Sequence, residues 1–94
     1  MNYDITKLTL ENPSNENFHL HSHDAYEIYM FLEGDAKYVV EENTYTLEPC
    51  DIIVIRRHEM HRVYHNSSAR YRRYVLTVES GFFAENGCTE YENP

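Results

Sequence analysis

Short apolar runs separated by turn residues are the dominant pattern along this chain. Residues 3–10 alternate between polar and apolar side chains, which predicts a half-buried strand. Residues 25–32 form a bulky apolar run, and its aromatic content and the Glu-Gly-Asp turn at 33–35 favour a strand over a helix. Residues 52–55 are all β-branched and predict a buried strand. The predicted strands cover residues 3–10, 18–22, 25–32, 36–41, 44–47, 52–55, 60–65 and 71–79.

About eight short strands with little helix predict an all-β fold, either a sandwich or a barrel. A chain of 94 residues has the length of one small domain, so residues 1–94 are expected to form a single unit. Within it we expect an N-terminal strand and polar arm at 1–17, a barrel at 18–79 and a C-terminal extension at 80–94.

Composition places the chain among globular domains, with 41% hydrophobic and 26% charged residues. No apolar run is long enough to span a membrane, and the N-terminus lacks the pattern of a secretory signal. The two cysteines, Cys50 and Cys88, form no CxxC pair, which is typical of reduced thiols in a cytosolic protein. We therefore expect a cytoplasmic protein with no membrane partner.

Charge is unevenly distributed along the chain. The net charge is −8, yet residues 56–73 contain six arginines and one glutamate. A net acidic domain binds nucleic acid poorly, because phosphate contacts supply most of that affinity. The basic segment is either a pair of solvated strand faces or a site for an anionic ligand, in which Arg56, Arg62 or Arg73 selects a carboxylate or phosphate.

The residues most suggestive of chemistry are His21, His23 and Glu27, which share the same parity. Side chains of one parity point to one face of an extended strand. Imidazole and carboxylate groups inside a small barrel need partners, since burying them alone costs several kcal/mol, roughly. They can hydrogen-bond to each other and to a polar ligand, or they can bind a metal.

A later predicted strand supplies His61, which would complete a site of three histidines and one carboxylate. Such a donor set suits a divalent Zn, Ni, Mn or Fe ion. The candidate metal ligands are thus His21, His23, Glu27 and His61, and a metal-free polar pocket built from the same residues is the alternative.

Strand parity also predicts an apolar and aromatic inner wall, formed by Tyr29, Phe31, Tyr38, Val40, Ile53 and Ile55. Pockets for small ligands combine such walls with a few polar groups, although each of these side chains could equally be plain core. The candidate ligand-binding residues are His21, His23, Glu27, His61, Tyr29, Tyr38 and Arg62.

Two motifs in this order resemble those of a known family. The His-Ser-His sequence at 21–23, followed by Glu27 and Gly34, has the spacing of the first cupin motif, and residues 47–61 resemble the second. With the strand that begins at 71–76, the chain resembles the N-terminal cupin domain of AraC-type transcription regulators over residues 18–79. Cys50 stands where that family has a glycine, so this turn requires either a non-glycine residue at positive φ or a different turn type.

The resemblance implies a double-stranded β-helix, or jelly-roll barrel, that senses a small-molecule effector such as a sugar or small acid. It implies a homodimer in the full-length regulator, an N-terminal arm that folds over the pocket, and DNA binding only through a separate C-terminal domain. That domain is absent from these 94 residues, which are expected to be a fragment and to catalyse no reaction. The alternatives are a stand-alone metallo-cupin enzyme, such as a dioxygenase or isomerase, and a plain interaction module.

Overall fold

The structure, a computed structural model, describes residues 3–17, 20, 22 and 24–79, with the side chain of Asn17 excepted. The strand predicted at 18–22 falls largely outside the described residues, as does the extension at 80–94. The described part contains one 3₁₀ turn at Asn15–Asn17 and seven strands, which confirms the all-β class. The strands are β1 (Tyr3–Leu10), β2 (Ala25–Glu33), β3 (Ala36–Val40), β4 (Asn43–Thr46), β5 (Ile52–Ile55), β6 (His61–His65) and β7 (Tyr71–Glu79). Within the described residues, no helix is suited to crossing a bilayer.

Two antiparallel sheets face each other. The larger sheet has the strand order β1-β7-β2-β5, and the smaller sheet has the order β4-β3-β6. β1 pairs with β7 along its whole length, while β2 lies between β7 and β5. Because β2 and β3 are consecutive in sequence but belong to different sheets, the chain passes from one sheet to the other at Gly34.

The core occupies the space between the sheets and follows the predicted parity. Residues of β2 alternate between buried and more exposed positions, as pleated strands with one covered face do. The predicted inner wall is confirmed: five of its side chains are buried and Ile53 is partly buried against them. The buried wall residues are Tyr29, Phe31, Tyr38, Val40 and Ile55.

The prediction that residues 52–55 form a fully buried strand is wrong. Ile52 and Val54 are 55% and 61% exposed, whereas Ile55 is completely buried. The reason is the position of β5 at the edge of the larger sheet, where only one of its faces meets the core. A run of four β-branched residues therefore alternates like any half-covered strand.

The turn before β5 resolves the alternatives left open at Cys50. Cys50 has a φ of 74°, so the non-glycine residue adopts the left-handed conformation that the family's glycine would occupy. The turn is held by the Cys50 amide, which donates to the Phe31 carbonyl at 2.8 Å, and by the Asp51 carboxylate, which accepts from the Glu48 amide at 2.8 Å. These bonds compensate for an unfavourable backbone conformation.

Replacing Cys50 with glycine is expected to raise the free energy of unfolding by about 0.5–1 kcal/mol, because relief of left-handed strain exceeds the added entropy of the unfolded chain. The Cys50 side chain is exposed, so little packing is lost. Urea unfolding monitored by circular dichroism measures the change. Cys50→Ala keeps the Cβ atom and should show no gain; an equal gain in both variants would assign the effect to the thiol.

Candidate functional site

A buried polar cluster joins the two sheets. Glu27 comes from β2 in the larger sheet, whereas Tyr38 and His61 come from the paired strands β3 and β6 in the smaller sheet. The Tyr38 hydroxyl donates to Glu27 Oε2 at 3.2 Å, and His61 Nε2 lies 3.9 Å from the same oxygen. The rings of Tyr38 and His61 stack with 9° between their planes. We call Glu27, Tyr38 and His61 the inter-sheet cluster.

Protonation states within this cluster follow from its contacts. Burial raises the pKa of Tyr38, and the neighbouring Glu27 raises it further, so the hydroxyl keeps its proton. His61 Nδ1 lies 2.7 Å from the Glu59 carbonyl, which can only accept, so Nδ1 carries the ring proton. In the neutral ring Nε2 is then an acceptor that faces a carboxylate. Two acceptors of this kind suit a ligand that donates hydroxyl or amine hydrogens, or a cation.

The predicted metal site is only half within the described residues, because His21 and His23 lie outside them. Within the described part of the chain, no group of three or more His, Cys, Asp and Glu side chains is arranged to hold a metal ion. The two described donors fit an ion, since ligand bonds of about 2.1 Å allow two donors on one metal to lie up to ~4 Å apart. The hydrogen bond from Nδ1 to a carbonyl is also the support that metal-bound histidines usually have.

A second polar group, formed by Tyr29, Tyr71 and His65, packs beside the cluster. The Tyr29 and Tyr71 hydroxyls are 2.6 Å apart, and the ring of Tyr29 lies 4.6 Å from that of Tyr38. Burial raises the pKa of Tyr71 to about 12 and lowers that of His65, so both side chains are neutral at pH 7. The Tyr71 ring meets the edge of His65 at 4.6 Å.

Sequence reasoning did not include Tyr71 and His65 among the site residues, although a signal was present. His65 has the parity of His61 on β6, and Tyr71 has the parity of buried Val75 on β7. The side-chain amide of Asn15 holds β6 at this point, accepting from the His65 amide at 2.7 Å and donating to its carbonyl at 3.0 Å. These contacts tie the polar segment after β1 to the smaller sheet.

Arg62 is not brought together with the inter-sheet cluster. It has the opposite parity to His61 on β6, and its guanidinium lies over the Tyr64 ring at 5.2 Å. Lys37 lies over the same ring at 4.8 Å. This side of β6 therefore presents cations and an aromatic ring on the outside of the smaller sheet.

A groove of about 350 Å³ opens between the edge strands β4 and β5. Its inner wall includes Val40 and Ile53, which are the register partners of His61 and Tyr29, respectively. Its rim combines apolar, aromatic, neutral polar and charged side chains, namely Asn43, Tyr45, Ile52, Val54, Arg56 and Glu59. The groove therefore leads from solvent towards the residues that neighbour the inter-sheet cluster.

Comparison with known sequences agrees with this architecture. Residues 8–88 match the family described as the AraC-like ligand binding domain. This chain belongs to the AraC-like ligand-binding domain family. No curated protein matches the chain significantly.

Solved structures show that this AraC-like domain has the cupin fold. The cupin domain of Schizosaccharomyces pombe Cnp3 matches with a TM-score of 0.76 at 8% identity, over 94% of this chain and 60% of that one. A Cupin 2 conserved barrel domain protein from Salinispora arenicola matches with a TM-score of 0.72 at 14% identity, over 93% and 71% of the two chains. A predicted oxalate decarboxylase from Thermotoga maritima matches with a TM-score of 0.68 at 17% identity, over 80% and 64%. The domain thus spans less than two thirds of the Cnp3 and Thermotoga chains.

Proposed function

We propose that this AraC-like domain is the ligand-sensing and dimerisation domain of a cytoplasmic AraC-type transcription regulator. Its effector is a small hydroxylated molecule, a sugar or a small acid, bound between the sheets. The observation that carries the proposal is the inter-sheet cluster, in which the buried Glu27 carboxylate of one sheet lies 3.9 Å from His61 Nε2 of the other. Hydroxyl groups of the effector donate to Glu27 and His61, and the rings of Tyr29 and Tyr38 cover its apolar side. His21 and His23 complete the set of contacts.

Signal transmission follows from the cluster's position across both sheets. A ligand that bonds to Glu27 on one sheet and to His61 on the other favours one spacing of the sheets over others. Such differential binding shifts the population of dimer arrangements. A homodimer of the full-length regulator then repositions its separate C-terminal DNA-binding domains, which are the only part that contacts DNA.

A metal-dependent enzyme is the second candidate, and one observation favours it. His61 donates from Nδ1 to the Glu59 carbonyl and turns Nε2 towards Glu27, as a histidine ligand of a metal would. A Zn, Ni, Mn or Fe ion held by His21, His23, Glu27 and His61 would act as a Lewis acid towards substrate. Tyr38 would then orient the Glu27 carboxylate through its hydrogen bond.

Replacing Glu27 with glutamine tests the sensor proposal. The amide keeps the shape of the side chain but loses the charge, and hydrogen bonds to a charged acceptor contribute about 1.5–3 kcal/mol. We expect the affinity for the best ligand among neutral sugars, uronates and aldonates to fall by roughly tenfold or more. Isothermal titration calorimetry measures the change, and a matched control is Glu42→Gln in an exposed turn.

A repeat of the titration after treatment with EDTA separates the two candidates. For a sensor that needs no metal, the affinity of the wild-type domain is expected to be unchanged. Loss of binding that returns only when Zn, Ni, Mn or Fe is added would support the metal-dependent enzyme instead. Equal affinity in the wild type, Glu27→Gln and Glu42→Gln would contradict a ligand site at the inter-sheet cluster.

A further inference from the structure

Arg73 is the arginine of the basic segment that the register turns towards the inside of the domain. On β7 it pairs with Phe31 of β2 and with Leu8 of β1, whose side chains belong to the core or pack against it. It has the same parity as buried Tyr71 and Val75. The side chain of Arg73 therefore starts from the inner face of the larger sheet, opposite in orientation to its neighbour Arg72.

Three other arginines of the basic segment form ion pairs at the protein surface, whereas Arg73 has no carboxylate partner among the described residues. Arg57, Arg70 and Arg72 form ion pairs at 2.9, 3.3 and 2.7 Å with Asp24, Glu11 and Glu33, respectively. Arg73 instead donates to the hydroxyl and the carbonyl of Thr6, at 3.2 and 3.4 Å. Among the described residues, no carboxylate forms an ion pair with it. A half-buried guanidinium with neutral partners retains its capacity to bind an anion.

The positive charge of Arg73 acts on the tyrosine hydroxyls of the interior. Burial raises the pKa values of Tyr29, Tyr38 and Tyr71, and the positive charge of Arg73 acts in the opposite direction on all three. The Glu27 carboxylate also acts on Tyr38 and Tyr71. The hydroxyls of Tyr38 and Tyr71 therefore lie within the fields of both a cation and a carboxylate.

We infer that Arg73 is the anion-binding residue of the effector site and that the effector is a hydroxylated carboxylic acid. Its carboxylate takes a bidentate position on the guanidinium, and its hydroxyls donate to Glu27 and His61. Charge fixes the orientation of the effector, because the Glu27 carboxylate would repel an effector carboxylate placed next to it. The inference rests on the proposed sensor function and narrows its ligand from sugars and acids in general to sugar acids.

Uronates and their neutral parents provide a test with closely matched ligands. D-galacturonate and D-galactose differ at one carbon, as do D-glucuronate and D-glucose. We expect the wild-type domain to bind one of the acids roughly tenfold or more tighter than its parent in calorimetric titrations, the effect of a charge-assisted bidentate pair. Arg73→Gln should remove most of this preference and leave the affinity for the neutral sugar within about twofold.

Two further variants separate charge recognition from structural effects. Arg62→Gln removes an arginine on the outer face of the smaller sheet. This variant should leave the affinities for the acid and for the neutral sugar unchanged. Arg73→Lys keeps the charge but loses the planar fork, so its preference for the acid should be intermediate. If Arg73→Gln fails to fold, Arg73→Lys alone tests the inference. An undiminished preference for the acid in Arg73→Lys would overturn bidentate recognition.

The outcomes also distinguish this inference from the sensor proposal. A wild-type domain that binds a neutral sugar through Glu27 but gains nothing from the acid overturns the role of Arg73 and leaves the sensor intact. A preference for the acid that persists in Arg73→Gln also overturns the role of Arg73. If neither a sugar nor a sugar acid binds, both the role of Arg73 and the sensor proposal are contradicted.

Discussion

Replacing Phe31 with alanine is expected to lower the free energy of unfolding by about 3–5 kcal/mol, the range for truncating a buried aromatic side chain. Phe31 is completely buried, and its ring faces that of Tyr71 at 6.3 Å between centroids. A domain of this size has a total stability of roughly 5–15 kcal/mol, so the loss is a large fraction of the whole. The backbone bonds of Phe31 to Cys50 and Asp51 persist in alanine, which isolates the contribution of the ring.

Chemical denaturation followed by far-ultraviolet circular dichroism measures this change. Val54→Thr is a suitable control, because Val54 is 61% exposed on β5 and threonine keeps the β-branch. Its effect should stay within about 0.5 kcal/mol. A loss of under ~1 kcal/mol for Phe31→Ala would show that the two sheets do not close over this ring as described.

Replacing Gly34 with alanine is expected to cost about 2–3 kcal/mol of unfolding free energy, mainly from backbone strain. Gly34 has a φ of 141°, a conformation that residues with a side chain rarely adopt. An added Cβ atom would also lie 3.3 Å from Phe31 Cε1 and 3.4 Å from the Arg70 carbonyl oxygen. This glycine links β2 to β3, where the chain passes between sheets, so the strain falls on the connection that sets their relative position.

The double variant Phe31→Ala/Gly34→Ala separates the two causes. Removing the Phe31 ring abolishes its contact with the new methyl group but leaves the backbone strain, so the two losses should sum to more than the loss of the double variant. Glu42→Ala, in an exposed turn, serves as the control and should change stability little. Wild-type stability in Gly34→Ala would contradict a strained backbone at this turn.

Local pattern was sufficient for much of the fold. The bounds predicted for β1, β5 and β7 agree with the structure, because period-two alternation and turn residues are properties of neighbouring positions. Parity alone also placed Glu27 and His61 on inner faces. Both are buried there, and His61 Nε2 lies 3.9 Å from Glu27 Oε2. The convergence of His21 and His23 on the same point stays a prediction, since they lie outside the described residues.

Pairing between distant strands decided what the pattern could not. The apolar run at 52–55 predicts a buried strand, yet β5 lies at an edge of its sheet and exposes Ile52 and Val54. Arg72 and Arg73 point to opposite faces of β7, and the pairing of β7 with β1 and β2 decides that the face of Arg73 is the inner one.

The amino-acid sequence by itself determined where most strands of this protein form and which of their side chains alternate towards the core, because steric and hydrophobic preferences act over a few residues. Only the tertiary structure decided which strands become edges, that Tyr29 meets Tyr71, and that a carboxylate of one sheet faces an imidazole of the other. Those outcomes depend on which strands pair across long sequence separations, and such pairing is a property of the whole assembled core.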